Sequence, residues 1–354
     1  MKVLFLPQTI AYKGNPYWEN LQRSLEKEGV EFVSPDDKYF LEWRWIIDNR
    51  NKVNVIHLHH IEHHYRASGR LHSIIILLKF IAKLILARLL GYRIVWTVHN
   101  ICPHENPKYK RINFIAYFLS TQLSNAIIVH CDFARISVKQ KYLKSRGVYV
   151  IPHPNYIGSY SNSIPPQEAK SLLGVKNYRM TLLYFGNIRQ YKGIDKLLEV
   201  FQSLPDKDIG LIIAGKPWDT EISRNIIYLS QSNNRIHLFL EFIPDDDVQL
   251  FFNAADFVVL PFTNVLSSGS ALLAMSFRRP LIAPAIGCLI DLISPDGGIL
   301  YDPENSNGLR NAIVLGMQSD IELMGMCAYE KVKSHDFHEM ALKTLSVYKG
   351  EECT

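Results

Sequence analysis

The chain has 354 residues, a length that suits two domains better than one ordinary core. Apolar residues make up 47% and charged residues 21%, the balance of a folded globular protein, which excludes a disordered chain. A formal charge of +5 is too small an excess to point to nucleic acid, and the five widely spaced cysteines, odd in number and without a Cys-x-x-Cys pair, argue against a disulfide framework or a structural zinc site and fit a reducing cytoplasm.

The N-terminal MKVLFLPQTIAY turns polar too quickly for a signal peptide and reads as a first buried strand, Lys2 to Pro7. Tyr17 to Glu28 reads as a helix, Val53 to His59 as a strand, and Arg70 to Leu90 as a long apolar helix. Tyr92 to Val98 is a strand, Asn113 to Ser124 a helix, Ala126 to His130 a strand, and Val148 to Pro152 closes the series. Near-continuous apolar strands alternating with helices predict a parallel sheet covered on both faces. The Pro-, Ser- and Asn-rich stretch 153–167 then reads as a linker or long surface loop.

The alternation restarts with strand Thr181 to Phe185, helix Ile194 to Ser203, and strands Gly210 to Ala214 and Ile236 to Phe239. Helix Val248 to Ala254, strand Phe257 to Pro261, an apolar helix from Ala271 to Phe277, and strands Leu281 to Ala283 and Gly298 to Tyr301 follow. The expected fold class is therefore α/β, with two doubly wound, Rossmann-like domains facing a cleft that would hold the ligand at the carboxyl ends of the strands. Neither a G-x-G-x-x-G fingerprint nor a G-x-x-x-x-G-K-[ST] loop is present, which argues against a dinucleotide enzyme and a P-loop NTPase.

Five segments carry chemistry-bearing residues. In LLYFGNIRQYKG, Gly186 permits a tight turn, and Arg189 and Lys192 stand where a helix begins; they form either a diphosphate clamp or a solvated turn. Ser267, Ser268, Gly269 and Ser270 open the next apolar helix, as a plain N-cap or as a seat for phosphate or sugar hydroxyls. His99, Asn100, His104 and Glu105 follow a strand, where His99 is either a general base or a structural histidine. In HLHHIEHHYR the pairs His59/His63 and His60/His64 have helical metal-ligand spacing, but no carboxylate cluster completes a site. The helix 70–92 is interrupted by Lys79, Lys83 and Arg88, so it does not read as a membrane span; with KYKR at 108–111 it reads either as a basic, apolar membrane-surface element or as a buried helix with a solvated edge.

Taken together, FGNIRQYKGIDKLLEVF, LIIAGKP, EFIPDDDVQLFFNAADFVVLPF, ALLAMSFRRPLIAP and GGILYDPEN, with VYVIPHPNY and TVHN before them, resemble glycosyltransferase family 4 of the GT-B architecture. The resemblance implies an N-terminal acceptor-side domain over 1–152, a linker over 153–178, a nucleotide-sugar donor domain over 179–334, and a C-terminal helix of about 335–354 packing back on the first domain. It implies that Arg189 and Lys192 hold the donor diphosphate and that the segment around Phe242, Ile243 and Pro244 lies against the base. Ser268, Gly269 and Ser270 would contact phosphate or sugar, with Gly186 in the turn, and Asn15 would sit by the phosphates or acceptor.

The two glutamates usual in retaining members align with Val265 and Leu273, a departure that resembles inverting β-mannosyltransferase-like enzymes of bacterial exopolysaccharide assembly. Inversion needs a base, for which His99 comes first and Glu105 and Asp132 follow. The expected reaction moves a sugar from GDP-mannose or a UDP-sugar to a glycan or lipid-linked acceptor. It needs no metal or other cofactor, and takes place in the cytoplasm, at the inner face of the membrane if the basic helices dock there. A non-catalytic nucleotide-sugar-binding scaffold and a GT-B-fold sugar epimerase are the competing readings, and a metal-dependent hydrolase would rest on the 57–64 histidines alone.

Overall fold

The computed structural model describes residues 1–8, 16–35, 41–102, 109–231 and 233–351. The chain divides into two units, one formed by Met1–His153 with Phe337–Thr354 and the other by Pro154–Asp336.

The first unit runs β1 (Lys2–Leu6), α1 (Pro16–Lys27), β2 (Glu31–Phe32), α2 (Trp43–Asp48), β3 (Val55–Leu58), α3 (Arg70–Leu89), β4 (Arg93–Thr97), α4 (Lys110–Leu123), β5 (Ala126–Val129), α5 (Asp132–Tyr142) and β6 (Val148–Val150). Its six strands lie in the order β2-β1-β3-β4-β5-β6, all parallel, with Val3 to Leu6 in register with Val55 to Leu58. β3 and β5 are buried throughout, as strands covered on both faces must be.

The second unit runs α6 (Pro166–Leu172), β7 (Met180–Phe185), α7 (Ile194–Ser203), β8 (Ile209–Ala214), α8 (Thr220–Ser230), β9 (Ile236–Phe239), α9 (Val248–Ala254) and β10 (Phe257–Val259). It continues with α10 (Gly269–Ser276), β11 (Leu281–Pro284), α11 (Leu289–Leu292), β12 (Gly298–Tyr301), α12 (Gly308–Gly316) and α13 (Ile321–Lys333). Here the parallel order is β12-β11-β10-β7-β8-β9, which reverses direction between β7 and β10. Residues 154–178, within the span for which the resemblance implies a linker, belong to this unit: the Asn155 amide donates to the Val332 carbonyl at 2.8 Å, and the Tyr156 N–H donates to Ser276 Oγ at 2.9 Å. Strand β2 and helices α2, α5, α6, α8, α11, α12 and α13 were not expected from the sequence.

After the second unit is complete the chain returns to the first as α14 (Phe337–Lys349). Its Met340, Ala341, Val347 and Tyr348 join Tyr17, Trp18, Leu21 and Leu25 of α1 in one core under the sheet. Two polar ties fix its place: Arg93 Nε donates to the Val347 carbonyl at 2.9 Å, and the Tyr348 hydroxyl lies 2.6 Å from His57 Nδ1. His57 Nε2 in turn lies 2.7 Å from Thr97 Oγ1, so this fully buried ring is satisfied at both nitrogens.

Burial pushes the His57 pKa down to about 3 and that of buried His130 down to about 4. Below the ordinary value of 6.5 the unfolded chain therefore takes up protons that the folded unit refuses. Stability is full above pH 6.5 and falls as the pH drops toward those folded values, at about 1.4 kcal/mol per pH unit for each such histidine. Four of the five tryptophans, Trp18, Trp43, Trp45 and Trp96, lie in the first unit, so tryptophan fluorescence follows it. The urea midpoint read this way is expected to drop between pH 7.5 and pH 5.5, above the range of ordinary carboxylate titration. A midpoint independent of pH over that window contradicts the neutral, buried state of these rings.

Candidate active site

In both units the unusual side chains follow the carboxyl ends of parallel strands, the edge of an open α/β sheet where ligands sit. In the first unit His59 and His60 follow β3, His99 follows β4, His130 follows β5 and His153 follows β6. The rings form one aromatic cluster. His99 stacks on His60 at 4.7 Å between centroids, and His130 stands 5.6 Å from His99 and 5.1 Å from His153. Tyr17 and Trp18 of α1 wall the cluster, Tyr17 at 4.9 Å from His153 and Trp18 at 4.4 Å from His59.

The hydrogen bonds sort the ring nitrogens. His130 Nδ1 donates to the Ile151 carbonyl at 2.9 Å, which leaves the buried Nε2 as a bare lone pair without a partner. His99 Nε2 meets His59 Nδ1 at 3.1 Å, so Nδ1 is the His99 atom left for a substrate. The main chain at His59 is held by Trp96, whose Nε1 donates to the His59 carbonyl at 2.8 Å. Burial, and then the neighbouring His60 and His130, hold the His99 pKa well below the ordinary 6.5, so this half-buried ring is neutral at neutral pH.

The helical pairs that the histidine spacing in 57–66 would allow do not form. The segment makes only a 3-10 turn, Ile61–His64, with His63 exposed and His64 stacked on Phe80 at 5.1 Å. Among the described residues no group of three or more His, Cys, Asp or Glu is arranged to hold a metal ion. Asp132 opens α5, is exposed, and pairs with Arg135 at 2.7 Å. Asn15 and Glu105 lie outside the described residues.

In the second unit the reversal of strand order separates the loop after β7 from the loop after β10, and this is where the other predicted residues gather. Gly186 (φ 118°) follows β7; a Cβ there would stand 3.1 Å from Ser270 Oγ and 3.5 Å from Lys192 Nζ. These three residues therefore share one small locus. Arg189 stacks its guanidinium over the Trp218 ring at 3.9 Å, and Lys192 lies 5.7 Å from the Phe262 ring. Burial, and then the Arg189 charge, lower the Lys192 pKa to about 8.

Ser268 is the N-cap of α10 and its Oγ accepts from the Ala271 N–H at 3.1 Å, so the capping reading describes Ser268 well. That leaves the hydroxyl of Ser270, in the first turn, as the one beside Gly186 and Lys192. A Cβ on Gly269 would stand 3.3 Å from the Tyr156 hydroxyl. Phe242 is 62% exposed and Ile243 half-buried in the loop after β9. Leu273, aligned with a glutamate of retaining enzymes, is buried in α10.

Sequence reasoning did not single out Trp218, Tyr156 or His130 as site residues, and weighed His59 only as a metal ligand. Trp218 had a signal, an aromatic in the loop that follows β8. His59 and His130 had the same positional signal as His99, each just past a strand end.

Residues 179–318 match the family of glycosyl transferases group 1. The GDP-mannose:glycolipid 4-β-D-mannosyltransferase of Xanthomonas campestris pv. campestris is 26% identical over 315 residues, covering 88% of this chain and 82% of that protein. Sucrose-phosphate synthase from Thermosynechococcus elongatus superimposes with a TM-score of 0.74 at 17% identity, covering 99% of this chain and 98% of that one. The Anabaena protein HepE, solved in complex with UDP, gives 0.71 at 18% identity, covering 99% and 100%. With two parallel six-stranded sheets and a group 1 domain in its second unit, the chain is a glycosyltransferase of the GT-B fold, a hexosyltransferase.

Proposed function

We propose that this glycosyltransferase transfers mannose from GDP-mannose, with inversion, to a lipid-linked or glycan acceptor in cell-surface polysaccharide synthesis at the inner face of the membrane. The observation that carries the donor half is the locus of Gly186, Lys192 and Ser270 beside Arg189 at the strand-order reversal of the second sheet. Two cations, a serine hydroxyl and the N–H groups opening α10 converge there, which is the equipment for a diphosphate. The choice of GDP-mannose and of a lipid-linked acceptor is supported by the relative that acts on a glycolipid and aligns over 88% of this chain.

The chemistry follows from these groups. The acceptor hydroxyl attacks the anomeric carbon from the face opposite the diphosphate, its proton passes to a base, and the bond to the diphosphate oxygen breaks with the electron pair leaving on GDP. Lys192, Arg189 and the α10 N–H groups stabilise the charge on the leaving group. His99 is the base, taking the proton on Nδ1 while its Nε2 hydrogen is directed at His59 Nδ1. Burial favours the neutral ring that a base needs before reaction. Val265 and Leu273 carry no side-chain acceptor at the positions of the retaining glutamates, which supports inversion. Phe242 and Ile243 lie against the guanine, and Asn15, Glu105 and Asp132 remain candidates on the acceptor side.

The first test is binding of GDP, UDP and ADP by calorimetry, followed by transfer from GDP-mannose with the product anomer read by NMR. GDP binding tighter than UDP, with a β product, is the expected result; a preference for UDP or an α product contradicts the reading. Arg189→Ala is expected to lower kcat/KM by about 30- to 100-fold, the scale of lost hydrogen bonds to a charged group, with an unchanged melting temperature. His99→Gln is expected to lower kcat by about 10²- to 10⁴-fold while GDP affinity holds, and near-wild-type turnover removes it as the base. Because Lys192 loses its proton above about pH 8 in the free protein, GDP affinity is expected to weaken as pH rises through that value, and Lys192→Arg to delay the loss to higher pH.

A further inference from the structure

α3 has two apolar faces, and the fold uses one of them. Leu77, Phe80, Ile81, Leu84 and Ala87 are buried against the first unit. On the opposite side Leu71, Ile74, Ile75, Leu78, Ile85 and Leu89 fall within an arc of about 100° at the helical repeat. They stay open to solvent, with Leu71 73%, Leu78 65% and Leu89 79% exposed. Phe114 and Ile115 of α4, which packs beside α3, are exposed as well.

Charge completes the picture. Neither α3 nor α4 contains an aspartate or glutamate. Arg70, Lys79 and Arg88 are exposed along α3, and Lys110 and Arg111 open α4. Lys83, expected from the sequence to share the basic face, is turned aside instead, 5.6 Å from the Trp43 ring and 4.0 Å from Glu42. No helix among the described residues is long and apolar enough to cross a membrane. An apolar stripe edged by cations, on two helices that carry no acidic residue, fits a helix lying in a lipid interface rather than through it.

We propose that the outer face of α3 is a docking surface for anionic lipid, with the apolar stripe in the headgroup and acyl boundary and the exposed cations at the phosphates. The inference deepens the reading above, since it names the surface that brings this chain to a lipid-linked acceptor. It rests on that reading for its purpose, while its evidence, the stripe and its charge, is independent of the donor site.

The test is co-sedimentation of the full chain with vesicles of phosphatidylcholine containing about 30% phosphatidylglycerol, and with vesicles of phosphatidylcholine alone. The wild type is expected to pellet with the anionic vesicles, and less so with added salt. Ile75→Asp with Leu78→Asp is expected to lower partition about tenfold or more, and Arg70→Glu with Lys79→Glu several-fold, with melting temperature and GDP affinity unchanged. Wild-type protein left in the supernatant, or an Asp variant that pellets like wild type, overturns the proposal. So does a wild-type dimer that the Asp variant converts to monomer in sedimentation velocity, since the face then belongs to a second copy. A wild type that binds GDP but no vesicles sinks this inference alone; a wild type that binds vesicles but no nucleotide sinks the donor reading alone.

Discussion

The proposed donor locus depends on backbone lying directly on backbone where the strand order of the second sheet reverses. A Cβ at Gly193 would overlap the Pro261 carbonyl oxygen, so the loop after β7 can pass against the loop after β10 only if that position carries no side chain. The same contact is locked by the Thr263 N–H, which donates to the Tyr191 carbonyl at 2.9 Å. A second close approach, where a Cβ on Gly215 would overlap the Gly186 carbonyl, brings the loop after β8 into the same place. Arg189, Lys192, Trp218 and Ser270 converge because these three loops touch. Main-chain contacts bring their side chains to one place, and Arg189 is held there over the Trp218 ring.

The two halves of the proposed chemistry use opposite electrostatic designs. In the second unit positive charge is kept and partly desolvated, so that Lys192 sits near the edge of its charged range with Arg189 beside it. In the first unit charge is refused: His57, His59, His99 and His130 all have pKa values pushed below the ordinary range, with burial the leading cause in each. A cluster of neutral imidazoles offers hydrogen-bond donors and acceptors without carrying charge of its own. It presents to a sugar the mixture of donor, acceptor and flat apolar face that hydroxyl-bearing rings match.

Much of this was legible in the sequence, and the reasons are specific. β3, β5 and β8 are buried on both faces, so their composition alone gave the parallel sheet. The paired cations after Gly186 and the serines before Ala271 stood out because small and charged residues at a strand-to-helix junction have few other uses. Helices α5 and α8 were missed although each carried a signal. Ala134, Val138 and Tyr142 recur every four residues in α5, and Asp219 caps α8 by accepting from the Ile222 N–H. The pairing of His59 with His99 was out of reach, since forty residues separate them and only the adjacency of β3 and β4 brings them together. Which serine caps α10 and which lies beside Lys192 was likewise set by helix geometry, a two-residue distinction that composition does not encode.

The return of α14 to the first unit has a consequence for how the protein is made. Tyr17, Trp18, Leu21 and Leu25 of α1 pack in one core with residues that lie beyond the whole of Pro154–Asp336. At the usual synthesis rate of about 5–20 residues per second, the ribosome spends roughly 10–40 s between finishing the first stretch of that core and delivering its last piece. During that interval the nascent first unit carries an open apolar groove, while the second unit, continuous in sequence, can already close. Cells making this enzyme thus hold a half-sealed domain tethered to a finished one, and that intermediate is the species chaperones have reason to meet.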